Sequence, residues 1–155
     1  MAGGEDPDNR HDFPGGFGQG QHGTNPPSAF TAATRTPTQQ ELFAWTAGLL
    51  GFRAAHAEFA TGIEQNLAAD ADSFAFVRSP AATGCAPDHG SERILIVVNK
   101  SATAKPLTLP TSGTALEGCT QFATTTAAPG PAPTLASGSL NLRIPASTLA
   151  LYTVR

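Results

Sequence analysis

The stretch Arg93-Ile94-Leu95-Ile96-Val97-Val98-Asn99 decides the fold class of this chain. Its uninterrupted apolar run is rich in β-branched residues, which predicts a strand with two apolar faces. Because such a strand must be covered on both sides, we expect it to lie centrally in a packed sheet.

Shorter segments around this strand also carry strand patterns, separated by turn-forming Gly and Pro. They are Ser73–Val77, Pro106–Leu109, Thr120–Thr126, Leu140–Ile144 and Leu149–Val154. No helical period intervenes among them, so the sequence predicts an all-β antiparallel sandwich. Ala127–Ser139, rich in Pro, Ala and Gly, predicts an exposed and mobile loop.

A helix is predicted upstream, from Thr36 to about His56. Thr36 can cap its N-terminus, Pro37 suits the first helical position, and Gln39 completes a capping box. Two apolar stripes predict neighbours on two sides of this helix. The stripes are Leu42, Trp45, Leu49, Phe52 and His56, and Phe43, Ala47, Leu50 and Ala54.

The residues before the helix, Met1 to Pro37, show no periodicity and many Gly and Pro residues. This pattern predicts a long loop. Its aromatic residues suggest packing or ligand contact rather than a plain linker. They are Phe13, Phe17 and Phe30.

Composition excludes several classes of protein. The 155 residues are 40% hydrophobic and 14% charged, with a net charge of −3 and no basic cluster. Nucleic-acid binding therefore has no support, because affinity for phosphates needs clustered Lys and Arg. No apolar run reaches the roughly 18–20 residues of a membrane helix. The acidic, polar stretch Met1–Pro14 is not a signal peptide.

The two cysteines, Cys85 and Cys119, each follow a glycine in a predicted loop. They are too far apart for a C-x-x-C motif. Two alternatives stay open: reduced thiols in a cytosolic protein, or one disulfide in an exported protein. The four histidines have no zinc-ligand spacing, and the sequence assigns no metal site. They are His11, His22, His56 and His89.

The first segment carries the most specific pattern in the chain. Its run is Gly3-Gly4-Glu5-Asp6-Pro7-Asp8-Asn9-Arg10-His11-Asp12-Phe13-Pro14-Gly15-Gly16. It resembles the long loop after the eighth barrel strand of α-amylase-family glycoside hydrolases (family 13) of the neopullulanase and cyclomaltodextrinase type. Residues 25–36 resemble the family's stretch before its last barrel helix. Phe52-Arg53-x-x-His56 is similar to the end of that helix, with Ala57 where proline is usual.

This resemblance implies a chain of two parts. Residues 1–69 would be the last loop and last helix of a truncated (β/α)₈ barrel, and residues 70–155 the C-terminal β-sandwich of the cyclomaltodextrinase type. The parent would be a bacterial enzyme, periplasmic or cytoplasmic, that hydrolyses α-1,4 or α-1,6 glucosidic bonds. Its expected substrates are cyclodextrins, pullulan or maltooligosaccharides.

The resemblance also implies that this chain has no catalytic residues. Retaining glycosidases need two carboxyl groups about 5–5.5 Å apart, and the family carries them on barrel strands that would precede Met1. Asp6 and Arg10 match the family's acid and arginine that contact the α-glucan oligosaccharide. The alternative is that Asp6, Asp8 and Arg10 form a local salt-bridged turn.

Other candidate sites have plainer alternatives. Asp6-Pro7-Asp8 could supply carboxylate ligands for calcium in the parent enzyme. The run lacks the glycine and glutamate of an EF-hand loop, however, and we assign no cofactor to this chain. Asn99-Lys100-Ser101 is a glycosylation sequon, with a turn as the alternative. Trp45 and Tyr152 could stack on sugar, although their contexts favour core packing.

Two alternatives to the fragment interpretation remain. One is a stand-alone carbohydrate-binding module, which would need exposed aromatic residues on the sandwich. The other is a structural or interaction module without a ligand. The aromatic residues that the sandwich segments offer are Phe74, Phe76, Phe122 and Tyr152. Phe74 and Phe76 share one face of a strand, as core residues do.

Overall fold

The structure is a computed structural model, and it describes residues 32–80, 84–85 and 92–155. The chain divides into two compact units, Met1–Ala47 and Gly48–Arg155. The described part of the first unit holds a 3-10 turn at Ala32–Thr34 and the beginning of helix α1, which spans Pro37–Ala55. The second unit holds the end of α1, the short helix α2 (Glu58–Thr61) and the strands.

Helix α1 begins where its capping box predicts. The backbone N–H of Gln39 donates to the Thr36 hydroxyl at 3.3 Å, and the Gln39 side-chain oxygen accepts from the Thr36 N–H at 2.9 Å. Arg35 donates to the Gln40 side chain at 3.1 Å, and its guanidinium lies 3.5 Å from the centre of the Phe43 ring. The two hydrogen bonds of the capping box satisfy backbone N–H groups at the start of the helix, which fixes that start at Pro37.

The described residues contain eight strands in two antiparallel sheets. The strands are β1 (Ile63–Ala69), β2 (Ser73–Ser79), β3 (Arg93–Asn99), β4 (Lys105–Pro110), β5 (Phe122–Thr124), β6 (Thr134–Ala136), β7 (Ser139–Ile144) and β8 (Thr148–Val154). The larger sheet has the order β1-β2-β3-β8-β5, and the smaller one the order β4-β7-β6. The predicted antiparallel sandwich is confirmed, with β3 at the centre of the larger sheet.

The main core lies between the two sheets. Alternate residues of each strand point into it, as the period of two in a strand requires. The larger sheet contributes Ala75, Val77, Leu95, Val97, Ala150, Tyr152 and Val154, and the smaller sheet contributes Leu107, Leu109, Leu140, Leu142 and Ile144. The connection after β4 adds Ala115, Leu116 and Cys119 to the same core.

A second apolar cluster covers the opposite side of the larger sheet, which we call the outer face. Register pairs place Phe76 opposite Ile96 and Ile96 opposite Leu151, so these side chains form one row across three strands. Both sides of β3 are therefore buried, as its sequence predicts. Phe74 and Phe76 lie on this outer face, half-buried, while Ala75 and Val77 face the main core.

Most strand predictions agree with the structure, but two strands were missed. Strand β1 pairs with β2 although the sequence assigned no strand there, and it lies before residue 70. Strand β6 lies inside the predicted loop Ala127–Ser139 and pairs with β7. Ala128, in the same loop, is buried and accepts a hydrogen bond from Leu151 N–H at 2.9 Å. The loop prediction is therefore wrong for β6, whose residues are exposed as expected but form a strand, and the prediction of exposure is wrong for Ala128.

An ion pair links the β1–β2 turn to the start of β4. The Lys105 ammonium donates to both carboxylate oxygens of Asp70, at 2.7 and 2.9 Å. The same carboxylate accepts hydrogen bonds from the N–H groups of Asp72 and Ser73 and from the Ser73 hydroxyl. Lys105 first, and then these donors, hold the pKa of Asp70 well below its ordinary value.

Because the pKa of Asp70 is lowered in the folded state, its contribution to stability is present above the unfolded value of about 3.9. That contribution is lost as the pH falls below about 4 and the carboxylate becomes protonated. We therefore expect Asp70→Asn to lower the melting temperature at pH 7 and to differ progressively less from the parent chain between pH 4 and pH 2. Thermal unfolding at several pH values measures this. Asp72→Asn is the control, because the Asp72 carboxylate has no ion pair among the described residues. An effect of Asp70→Asn that does not depend on pH would contradict the prediction.

Candidate functional site

The candidate functional site of the second unit is the place where its helical residues pack against the outer face of the larger sheet. Leu49 and Phe52 from the end of α1, and Phe59 from α2, pack against a buried cluster of Ile94, Ile96, Ala128 and Leu151. The Phe52 and Phe59 rings meet edge to face, with centres 5.9 Å apart. We call this set the helix–sheet junction. Full burial of such a side chain contributes about 1.5–3 kcal/mol; these three are half-buried, so each contributes less, and together they attach the helix end to the sheet.

A polar chain closes one side of the helix–sheet junction. His56 follows the last residue of α1, and its Nδ1 lies 3.0 Å from a carboxylate oxygen of Glu92. The other Glu92 oxygen accepts a hydrogen bond from the Arg155 guanidinium at 2.8 Å. Phe52 stacks on the His56 ring at 4.1 Å between centres, which fixes the orientation of the imidazole. The end of α1 is thus tied to the start of β3 and to the end of the chain.

Arg78 secures the short helix α2 from the other side. Its guanidinium donates to the backbone carbonyls of Glu58 and Phe59, at 3.2 and 3.3 Å. It also pairs with Glu64 at 3.2 Å, its register partner on β1. A cation that binds helix carbonyls complements the negative pole of the helix. Arg78 therefore joins α2 to the edge of the larger sheet.

A shallow open groove of about 290 Å³ runs beside these residues. It is lined by Leu50, Arg53, Ala54, His56, Ala57, Phe59 and Ala60. The surface is mainly apolar, and Arg53 lies 5.9 Å from the centre of the Phe59 ring. The His56 imidazole is already paired with the Glu92 carboxylate. The residues that line the groove include no pair of carboxyl groups. Its chemistry suits packing rather than catalysis.

Cys85 and Cys119 are bonded to each other, with their Cα atoms 4.9 Å apart. Of the two alternatives that the sequence leaves open, the structure contains the disulfide. The Cys85 N–H also donates to the Glu117 carbonyl at 2.7 Å. Gly84 lies so close to Glu117 that a side chain at this position would collide with that carbonyl. The described part of the β2–β3 connection is therefore attached to the connection after β4.

Asn99, the asparagine of the sequon, is buried at the end of β3. Its side-chain nitrogen donates to the carbonyls of Thr103, Ile144 and Pro145, at 2.9, 3.2 and 2.8 Å. Its side-chain oxygen accepts from the N–H and hydroxyl of Ser101. The structure thus supports the turn alternative: Asn99 joins the β3–β4 turn to the β7–β8 turn and is closed to glycosylation.

Tyr152 and Trp45, the two aromatic candidates for sugar stacking, differ in how far they are buried. Tyr152 is fully buried, its hydroxyl donates to the Pro131 carbonyl at 2.9 Å, and burial raises its pKa to about 12. The prediction of core packing is confirmed for Tyr152. It is wrong for Trp45, which is 49% exposed on α1. Trp45 lies on the same stripe as Leu49 and Phe52, which are half-buried, so the described residues cover only the end of that stripe.

Several predicted site residues lie outside the described part of the chain. They are Asp6, Asp8, Arg10, His11, His22, His89 and the aromatic residues Phe13, Phe17 and Phe30. Within residues 32–80, 84–85 and 92–155, no group of His, Cys, Asp or Glu side chains could hold a metal ion. In the same residues, no helix is long and apolar enough to cross a membrane.

Sequence reasoning missed Arg78, Glu92 and Arg155 as functional residues of the helix–sheet junction. Each is charged and lies at or beside the end of a strand. That position is a weak signal, because strand ends usually carry solvated charges. The contact of Glu92 with His56 joins residues 36 positions apart and has no local pattern.

Comparison with known proteins finds the fold but no family: no family model and no curated protein matches the chain. AmyP in complex with maltose is similar in structure, with a TM-score of 0.57 and 17% identity over 76% of this chain. The native form of a debranching enzyme from Nostoc punctiforme has a TM-score of 0.54 and 17% identity over 74% of this chain. The match covers 21% of each of those chains, so this chain spans about a fifth of their length. At this identity the likeness shows the fold alone.

Proposed function

We propose that this chain is the non-catalytic C-terminal part of a glycoside hydrolase that acts on α-glucans. The observation that carries the proposal is a fold shared with two much longer proteins, AmyP and a debranching enzyme, each matched over about a fifth of its length. The Gly3–Gly16 run supports it independently, because it resembles a barrel loop of the α-amylase family. AmyP binds maltose, an α-glucan disaccharide.

The proposed role of the sandwich is to hold the last barrel helix in place. The helix–sheet junction fixes the end of α1, while other apolar side chains of the helix stay exposed. They are Leu42, Phe43, Trp45 and Leu50. Apolar helix residues that remain exposed suit a partner surface. In the proposed parent enzyme, the barrel covers these residues.

The finer assignment concerns substrate. In the parent enzyme, Asp6 and Arg10 would contact the α-glucan, since a carboxylate and a guanidinium can each bind neighbouring hydroxyls through two hydrogen bonds. The proposed substrates are cyclodextrins, pullulan and maltooligosaccharides, as in the neopullulanase and cyclomaltodextrinase group. The Cys85–Cys119 disulfide favours the periplasmic alternative for the parent, because disulfides persist in oxidising compartments.

The competing proposal, a stand-alone carbohydrate-binding module, has less support. Such modules stack sugar rings on exposed aromatic side chains. In the described residues of the sandwich, Tyr152 is buried, and Phe74, Phe76 and Phe122 are half-buried. The rings of Phe74 and Phe76 lie 5.2 Å apart on the outer face, where Phe76 packs against the second cluster. No described aromatic side chain therefore forms a platform on the sandwich surface.

The purified chain is expected to release no reducing sugar from cyclodextrin, pullulan or soluble starch. The reason is that cleavage requires two carboxyl groups, and in the proposed parent enzyme both would lie on other strands of the barrel. A reducing-sugar assay over several hours measures this, with buffer as the blank. Hydrolysis above the blank that a single substitution in the chain abolishes would overturn the proposal.

Retention on starch or cyclodextrin resin separates the two proposals. A C-terminal part without its barrel should pass through the resin, whereas a carbohydrate-binding module should be retained and eluted by maltose. Arg10→Ala is a suitable comparison variant. If the chain is retained and Arg10→Ala is not, Arg10 is a sugar contact that works without a barrel.

A further inference from the structure

We propose that the Cys85–Cys119 disulfide is a redox-sensitive device that controls how firmly the helix end is attached to the larger sheet. Reduction would release the Gly84–Cys85 segment and, through Arg93 and Glu92, loosen the contact with His56, while both sheets stay folded. This inference does not depend on the sugar chemistry of the parent enzyme.

Cys85 and Cys119 differ in exposure, so a thiolate reagent can reach one of the two sulfur atoms more easily than the other. Cys119 is 2% exposed and belongs to the main core, whereas Cys85 is only half-buried at its edge. Gly118, with φ of +71°, turns the chain beside Cys119, and a side chain at this position would lie close to the Cys85 carbonyl. A thiolate therefore reaches the Cys85 sulfur first.

The disulfide is joined to the helix–sheet junction through a short series of contacts. The Gly84 carbonyl, next to Cys85, accepts a hydrogen bond from the guanidinium of Arg93. Arg93 is almost completely buried at the start of β3, and burial lowers its pKa. Its neighbour Glu92 binds both His56 and Arg155. A shift of Gly84 would therefore move the buried guanidinium of Arg93. Glu92, the residue before Arg93, holds the helix end through His56.

In the reduced chain, fewer contacts hold the Gly84–Cys85 segment. The Cys85–Glu117 backbone hydrogen bond remains, but it is weaker than the covalent link that reduction removes. Movement of the Gly84 carbonyl then weakens its hydrogen bond with Arg93, the residue next to Glu92. The apolar part of the helix–sheet junction involves neither cysteine, so the sheets keep their packing.

The chemical step is an exchange with a dithiol. A thiolate of the reagent bonds to the Cys85 sulfur, the Cys85–Cys119 bond breaks, and Cys119 leaves as a thiolate that takes up a proton. The second thiol of the reagent then attacks the mixed disulfide and releases Cys85, which is also protonated. Two electrons and two protons pass to the chain, and the reagent becomes a cyclic disulfide. Formation of the bond in an oxidising compartment is the reverse exchange.

Hydrogen exchange on the full chain, oxidised and after treatment with dithiothreitol at pH 7, tests the device. We expect backbone amides at Ala54–Phe59 and Gly84–Cys85 to exchange at least about tenfold faster after reduction. Amides at Leu107–Leu109 and Leu140–Leu142 in the smaller sheet should change less than about twofold. A free-thiol count confirms the redox state in each sample.

Two variants keep the test decisive. Cys85→Ser with Cys119→Ser should exchange as the reduced chain does and should not respond to dithiothreitol. Glu92→Ala should exchange rapidly at Ala54–Phe59 in both redox states, since it removes the ion pair that joins His56 to the start of β3. Three results would overturn the proposal: a disulfide that resists reduction in the folded chain, equal acceleration in both sheets, or unchanged exchange at Ala54–Phe59 after reduction.

Discussion

Replacing Asn99 with alanine is expected to destabilise the sandwich by about 3–5 kcal/mol, a large effect for one residue. The side-chain amide of Asn99 bonds three backbone carbonyls and accepts two hydrogen bonds from Ser101. Alanine would remove every one of these hydrogen bonds between the two turns and leave the carbonyl of the buried Ile144 without its Asn99 partner, and an unsatisfied buried group costs about 1–3 kcal/mol. Urea unfolding, followed by circular dichroism, measures the change.

Asn99→Asp provides the more informative comparison. A carboxylate cannot donate to the carbonyls of Thr103, Ile144 and Pro145, and its charge would face their oxygens. We expect it to be at least as destabilising as alanine at pH 7 and less so at low pH, where the protonated acid can donate one hydrogen bond. Asn141→Ala is the control, because the Asn141 side chain bonds one exposed hydroxyl, that of Thr108. Equal effects at positions 99 and 141 would show that the Asn99 contacts do not stabilise the fold.

Local patterns account for the part of the fold that the sequence predicts. The capping box of Thr36 and Gln39 acts within one helical turn, so it is visible without tertiary structure. Strands β3 and β8 are long and apolar, and their bounds agree with the prediction to within one residue. In these elements, propensity and burial favour the same structure, which is why the pattern is sufficient.

Elements that depend on distant partners were missed. Strand β1 is mostly exposed and contains Glu64, Gln65 and Asn66, so its sequence lacks the alternation of a half-buried strand. Strand β6 has only three residues, although Ser137-Gly138 forms a tight turn with two positive φ angles before β7. That dipeptide is a hairpin signal. The proline and alanine content around it favours a loop instead.

In the candidate site, too, local features were predicted and contacts between distant residues were missed. His56 was recognised as a helix-end residue, but its partner Glu92 lies on another element and carries no motif. Arg78 binds carbonyls of α2, a helix of four residues that has no amphipathic period. The pairing of Cys85 with Cys119 needed three-dimensional proximity, since spacing alone left two alternatives. The sugar-contact prediction for Asp6 and Arg10 remains a prediction.

The second large effect is expected at the helix–sheet junction itself. Phe52→Ala should weaken attachment of the helix end by about 2–3 kcal/mol, because Phe52 is half-buried and contacts both His56 and Phe59. The sheets should remain folded, since the main core contains no residue of α1. Amide exchange at residues 52–61 should therefore accelerate by about 30- to 150-fold, the factor that corresponds to this free energy. Leu50→Ala is the matched control on the same helix: Leu50 is 61% exposed, so its removal should change exchange by less than about threefold. If the two variants behave alike, the apolar contacts at Phe52 do not hold the helix on the sheet, and the support role proposed for the sandwich is lost.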